Sequence, residues 1–262
     1  DWNKLYLDWY AHWLMGREND ITDMPKVQYY VMGANEWRSS DVWPLDGIRY
    51  TKYFLHSGGN ANSRNGDGQL YTRAPESNGS DSFIYDPADP VPSVGGARLL
   101  GGARDQATVE SRDDVLVYTT PPLDEGVEVT GPISLVLYIS SSAKDTDITA
   151  KLVDVHPDGR AYNIQDGILR LRYRDGFTQK VWMEEGEIYE VSIDMSITSQ
   201  YFAKGHRIRL QVSSSNFPNY ERNLNTGGNN YDETSWVVAE NTIYHSPENP
   251  SHLLLPVIPT AE

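Results

Sequence analysis

Ile133-Ser134-Leu135-Val136-Leu137-Tyr138-Ile139-Ser140 decides the fold. Ile133, Leu135, Leu137 and Ile139 share one face; Ser134, Tyr138 and Ser140 share the other. A period of two marks a strand, because successive side chains of an extended backbone point to opposite sides. Such an apolar face needs a second layer to cover it. The same pattern returns downstream. Leu169, Leu171 and Tyr173 alternate with Arg170, Arg172 and Arg174. Tyr189, Val191, Ile193 and Met195 alternate with Glu190, Ser192 and Asp194, and Ile208, Leu210 and Val212 with Arg207, Arg209 and Gln211. Upstream, Lys26 to Met32 reads as a strand ended by Gly33. Turn residues punctuate these runs at Asp86-Pro87, Pro157-Asp158-Gly159, Asp175-Gly176, Glu185-Gly186 and Lys204-Gly205. Many short antiparallel strands without interleaved helices predict an all-β fold, a β-sandwich of jelly-roll type.

One segment breaks the pattern. Leu5, Trp9 and Trp13 recur four residues apart, and Tyr6, Tyr10 and Leu14 widen the same face. This predicts a helix from Asn3 to Gly16, with Gly16 as the stop. So broad an aromatic face requires cover, from this domain or from a neighbour. Asp1, Asp8 and Glu18 make the polar residues acidic, which argues against a helix lying on a membrane.

Composition narrows the partners. The 262 residues carry 22 basic and 37 acidic side chains, a formal charge of −15. That charge repels phosphate backbones and anionic bilayers, so neither nucleic acid nor membrane is expected as a partner. There is no cysteine, which excludes disulfides and thiolate metal sites. The compartment stays open, with the cytoplasm favoured over secretion.

No catalytic pattern emerges from the residues themselves. Gly-x-Ser-x-Gly, the elbow of α/β-hydrolases, does not occur. Of the histidines at 12, 56, 156, 206, 245 and 252, none has a partner at metal-ligand spacing. His206, between a turn and a strand, reads as a satisfied structural histidine. Asp145 and Asp147 flank Thr146, and Asp86 and Asp89 share a Pro-rich turn. Either pair could lend oxygens to Ca²⁺, but turn and strand-start chemistry accounts for them better. Trp37, Trp43, Tyr50, Tyr53, Trp182, Tyr201, Tyr220, Tyr231 and Trp236 are expected to fill core and domain interfaces; the alternative is a sugar-stacking platform. The arginine rows are expected on the wet face of a sheet, paired across strands with Glu190 and Asp194.

Several ordered motifs, spread over essentially the whole chain, resemble one family. They begin with Val31-Met32-Gly33-Ala34-Asn35-Glu36-Trp37-Arg38 and Trp43-Pro44, and continue with Tyr85-Asp86-Pro87-Ala88-Asp89-Pro90-Val91-Pro92-Ser93-Val94-Gly95-Gly96. Arg112-Asp113-Asp114-Val115-Leu116, Thr146-Asp147-Ile148-Thr149-Ala150-Lys151-Leu152, Asp158-Gly159-Arg160 and Gly205-His206-Arg207-Ile208 follow. Ser213-Ser214-Ser215-Asn216-Phe217-Pro218 then leads to Tyr220, Arg222, Asn223, Asn225, Thr226 and Gly227. Their order is similar to that in the cocaine-esterase-like, X-Pro dipeptidyl-peptidase (S15) serine hydrolases.

That resemblance implies an architecture of α/β-hydrolase domain, helical cap and C-terminal jelly roll. It places the whole Ser-Asp-His triad before Asp1. Residues 1–33 would then be the terminal helix and strand of a truncated hydrolase domain, and 34–262 the sandwich. The function implied is a non-catalytic companion of an ester or X-Pro dipeptidyl-peptidase/acylase hydrolase. Its partner would be the catalytic domain, the parent's substrate a small ester or amide, with no metal or organic cofactor, and a homo-oligomer remains open. A carbohydrate-binding module or an oligomerisation domain is the alternative. The family also has an apolar pair on a loop leaning toward the substrate pocket, matched here by Leu99 and Leu100. By pattern alone these two leucines read equally well as a short strand.

Overall fold

The computed structural model describes residues 1–97 and 101–259. One α-helix, α1 (Trp2–Met15), precedes the strands β1 (Val27–Val31), β2 (Glu36–Ser40), β3 (Arg49–His56), β4 (Gln69–Tyr71) and β5 (Ser80–Tyr85). Then come β6 (Leu116–Thr119), β7 (Val127–Ser141), β8 (Asp147–Val155), β9 (Ala161–Arg170) and β10 (Tyr189–Phe202). β11 (Arg207–Ser213), β12 (Ala239–Tyr244) and β13 (His252–Ile258) complete the order.

β1 and β2 form a separate hairpin. The other strands join in the order β5-β12-β7-β13-β3-β4-β6-β11-β8-β9, with β10 on β7. These pairings are antiparallel except β4 with β6, which meet in parallel at Gln69 and Thr119. The inward side chains of these strands enclose one main core. Ile133, Leu135, Leu137 and Ile139 of β7 are at most 1% exposed. They pack in one cluster with Val191, Ile193 and Met195 of β10, Ile208, Leu210 and Val212 of β11, and Leu152 of β8. The alternation read from the sequence is thus the inward face of a β-sandwich.

Two expectations fail at the arginine rows. β9 stops at Arg170, and Leu171–Tyr173 forms a 3₁₀ turn instead of continuing the strand. Nor do these arginines lie on a wet face opposite Glu190 and Asp194. Arg170 binds Asp147 through two bonds of 2.8 and 2.9 Å. Arg172 is buried 3.5 Å from Asp145, and Arg209 pairs with Glu110. The physical reason is coverage by distant segments: Arg170 and Arg172 donate to the carbonyls of Glu221 and Gly228, and another segment lies over β11. Val91, Val109, Val115 and Val117 form a small separate core. Its segment carries Glu110 onto the outer face of β11, where Glu110 Oε1 also accepts from Gln211 Nε2 at 2.8 Å. Polar side chains under such a lid must find partners inside the protein.

Lys151 of β8 lies beneath the same segment, donating from Nζ to Gln106 Oε1 at 2.9 Å. Burial pushes its ammonium down to about 8, against the opposing pull of Asp166 and Glu110. Between that value and the unfolded pKa of about 10.4, the unfolded chain holds the proton and the folded chain does not. Stability contributed by this residue therefore rises with pH across that window. Urea titrations at pH 8 and pH 10.5 should show wild type gaining about 2–3 kcal/mol relative to Lys151→Met. A pH-independent difference would contradict the assignment.

Candidate functional site

Gly16 ends α1 in the left-handed region at φ 62°, where its missing side chain removes the strain. Asp1 caps the start, accepting from the backbone of Asn3 and Lys4 at 3.0 and 3.4 Å. The helix read from the sequence is therefore present, but it packs almost nothing. None of its residues is buried. Trp2 is 70% exposed, Trp9 51% and Trp13 59%, and Tyr6, Leu7, Tyr10, Leu14 and Met15 are exposed as well.

The hairpin β1–β2 continues this surface. It is fixed to β10 through Met32, whose N–H donates to Ser199 at 3.0 Å and whose carbonyl accepts from Tyr201 at 2.8 Å. Gly33 makes that approach possible. Its φ is +83°, and a Cβ there would lie 2.2 Å from the Tyr201 carbonyl oxygen. Between α1 and the hairpin runs a groove of about 680 Å³ lined by Trp2, Leu5, Met24, Pro25 and Trp37. On the other side of the hairpin, Tyr29, Met32, Trp43 and Ile197 line a second groove of about 360 Å³. Trp37, Trp43 and Ile197 are exposed. Of the other aromatics expected in core or interface, Tyr53 is buried, whereas Tyr50, Trp182, Tyr231 and Trp236 are exposed.

The fold also assembles a serine, a histidine and an aspartate that sequence spacing did not connect. Ser57 follows β3, Asp81 lies in β5 and His245 follows β12. His245 Nε2 is 2.9 Å from Asp81 Oδ2 and 3.0 Å from Ser57 Oγ. A catalytic triad uses opposite nitrogens of the imidazole, one to orient it and one to take the serine proton. Here both neighbours meet the same nitrogen. Ser57 Oγ also sits 2.8 and 2.7 Å from the two Asp81 oxygens, so its proton already has an acceptor. Tyr118 Oη and the Ala61 N–H donate to the same carboxylate at 2.8 and 2.9 Å. Burial raises the Asp81 pKa, but bonds from His245, Ala61, Ser57 and Tyr118 outweigh it and hold the carboxyl below the usual value. This is a structural anion with four donors, not an activated nucleophile.

Asp145 and Asp147 are likewise buried in direct contacts with protein donors. Asn223 Nδ2 donates to both, at 2.8 Å each, between the guanidinium groups of Arg170 and Arg172. Asp86 keeps its turn role, accepting from the Ala88 N–H at 2.9 Å. His206, read as a satisfied structural histidine, has Nδ1 2.8 Å from Asp154 Oδ1. The fold also brings His156 against it, which the linear spacing of the two did not reveal. Leu99 and Leu100 lie outside the described residues.

Comparison with known proteins gives this surface its context. Residues 19–254 match the X-Pro dipeptidyl-peptidase C-terminal non-catalytic domain family. The chain is 50% identical over 251 residues to cocaine esterase of Rhodococcus sp. (strain MB1 Bresler), covering 94% of this chain and 44% of that protein. It is similar in structure to an aminopeptidase from the marine sediment archaeon Thaumarchaeota archaeon, with a TM-score of 0.84, 30% identity, and coverage of 96% of this chain and 43% of that one. An alpha-amino acid ester hydrolase gives a TM-score of 0.79 at 29% identity, covering 90% of this chain and 41% of that one. This chain therefore spans less than half the length of these relatives. A β-sandwich matched over nearly its whole length identifies the chain as a member of the X-Pro dipeptidyl-peptidase C-terminal non-catalytic domain family, the sandwich carried by larger hydrolases of the cocaine-esterase type.

Proposed function

We propose that this chain is the accessory sandwich of a serine hydrolase and docks against the catalytic α/β-hydrolase domain through α1 and the β1–β2 hairpin. In this reading residues 1–33 are the terminal helix and strand of the catalytic domain, held on the companion (residues 34–262) through the β1–β2 pairing, and they fold back onto the rest of the catalytic domain. The observation that carries the reading is α1. Eight large apolar side chains stand exposed on a well-capped helix of 14 residues. Burying an exposed Trp or Leu stabilises by roughly 1.5–3 kcal/mol, so a helix of this composition is built to be covered. It also precedes the family match, which begins at residue 19.

The reaction of the whole hydrolase is cleavage of a small carboxylic ester or amide, with the nucleophile supplied by the catalytic domain. The sandwich contributes shape and cover, not bond-breaking groups. The test is a chimera in which this chain replaces the matching portion of the Rhodococcus cocaine esterase. The chimera should hydrolyse a carboxylic ester, whereas the chain alone should show no phosphonate-sensitive esterase activity. Replacing Trp9 and Trp13 together by Ser should lower the melting temperature of the chimera and leave that of the isolated chain nearly unchanged. Phosphonate-sensitive turnover by the isolated chain would contradict the reading. So would self-association through α1 that persists in the chimera, which would point to an oligomerisation domain.

A further inference from the structure

One end of the sandwich gathers a carboxylate and two imidazoles. Asp154 and His156 are two residues apart at the end of β8, so a period of two carries them toward the same side. β11 pairs with β8 through Arg207 opposite Val155. One step further along that ladder sets His206 across from His156. Directly opposed side chains start about 5 Å apart. Here the two rings approach to 4.3 Å between centroids, at an interplanar angle of 40°.

The donor atoms converge. His206 Nδ1 is 2.8 Å from Asp154 Oδ1, and His156 Nε2 is 3.8 Å from Asp154 Oδ2. One ligand atom from each of the three residues falls within 4.8 Å of the others. Around a tetrahedral ion with bonds of about 2.0–2.1 Å, ligand atoms stand about 3.4 Å apart. The required adjustment is small, and both imidazoles sit where a strand meets a turn. The carboxylate is already oriented: Gln200 Nε2 donates to its Oδ2 at 3.1 Å. Such outer partners hold a ligand in place before an ion arrives. Asp154 is buried, and the His156 side chain is 34% exposed. His156 opens onto a groove of about 760 Å³ that is also lined by Pro157, Gly205 and Arg207.

We propose that Asp154, His156 and His206 form a binding site for a borderline divalent transition ion, Zn²⁺ in the first instance, that clips the β8–β9 turn to the β10–β11 turn. Two neutral imidazoles and one carboxylate suit Zn²⁺ over Ca²⁺ or Mg²⁺, which require mostly oxygen. Three protein ligands leave a fourth position for water. The ion's role is to cross-link two turns, and none of its three ligands comes from α1 or the β1–β2 hairpin, so zinc binding by the chain is tested separately from docking.

The test is calorimetric titration of the untagged, metal-stripped chain with ZnCl₂. One Zn²⁺ should bind per chain and raise the melting temperature, because an ion that binds only the folded state stabilises it. His156→Gln and His206→Gln should each weaken binding by at least about tenfold, as loss of supporting contacts alone does at metal sites. Because His206 also bonds to Asp154, His156→Gln is the variant expected to keep the fold, checked by an unchanged melting temperature without metal. His252→Gln should bind as wild type does. Absence of binding, or binding that His156→Gln leaves unchanged, would overturn the proposal.

Discussion

Asp81→Ala is expected to lower the stability of the chain by on the order of 5 kcal/mol. The substitution removes one acceptor and strands four donors: Ser57 Oγ, Tyr118 Oη, the Ala61 N–H and His245 Nε2. Each buried donor left unsatisfied costs about 1–3 kcal/mol, and a whole domain holds only about 5–15 kcal/mol in reserve. Water can enter on the Ser57 side and reduce part of that cost. Asp81→Asn keeps the shape but turns amide hydrogens toward groups that are themselves donors, and should cost about 2–3 kcal/mol. The pH dependence follows from the depressed pKa of Asp81. A carboxyl bound more weakly by protons when folded stabilises the fold above its unfolded pKa of about 3.9. That contribution disappears as the pH falls through the lower folded value. Urea unfolding should therefore show the gap between wild type and Asp81→Asn shrinking below pH 4. A gap that widens on acidification would contradict this assignment.

Asp147→Ala carries the second large effect. Asp147 is 1% exposed and receives two bonds from Arg170 and one from Asn223. Its removal leaves a guanidinium facing a cavity, and breaking such a buried pair from one side costs about 3–5 kcal/mol. Burial pushes the Asp147 carboxyl up, while Arg170 and Asn223 favour its charged form. The pair as a whole is a different matter. The double variant Asp147→Leu, Arg170→Met removes both charges and fills the space with carbon, and should recover most of the lost stability. Chemical denaturation of the wild type, the single variant and the double variant measures both quantities. A double variant as unstable as the single one would show that Asn223 and Asp145 depend on these charges for more than neutralisation.

The inward faces of β7, β10 and β11 were legible because a half-buried strand writes its burial at period two. Ile133 to Ile139 and Tyr189 to Met195 needed no other information. The helix was equally plain, since its apolar spacing and Gly16 stop are local. Arg170, Arg172 and Arg209 were misread for the opposite reason. Their alternation is genuine, but distant segments lie against them, Glu110 at Arg209 and the carbonyls of Glu221 and Gly228 at Arg170 and Arg172, and no local pattern announces such contacts. Asp81 and His245 meet through the pairing of β5 with β12, and Ser57 reaches them from the end of β3. His156 and His206 could have been found by aligning the two turns: once β8 and β11 are paired, register alone sets the histidines opposite each other. The sequence reads the aromatics of α1 as a face that needs cover, and the fold leaves them bare.

Docking through that face is the central claim, and hydrogen exchange tests it most directly. Amides of residues 2–15 should be compared in the isolated chain and in the chimera with the Rhodococcus catalytic region. An unpacked helix of 14 residues is marginal in water, so exchange in the isolated chain should be fast. In the chimera those amides should slow by at least about a hundredfold, corresponding to more than about 2.7 kcal/mol of added local stability. Equal exchange in the two proteins would mean that α1 is not covered by the catalytic domain, and the account of this chain as a docked companion would be contradicted.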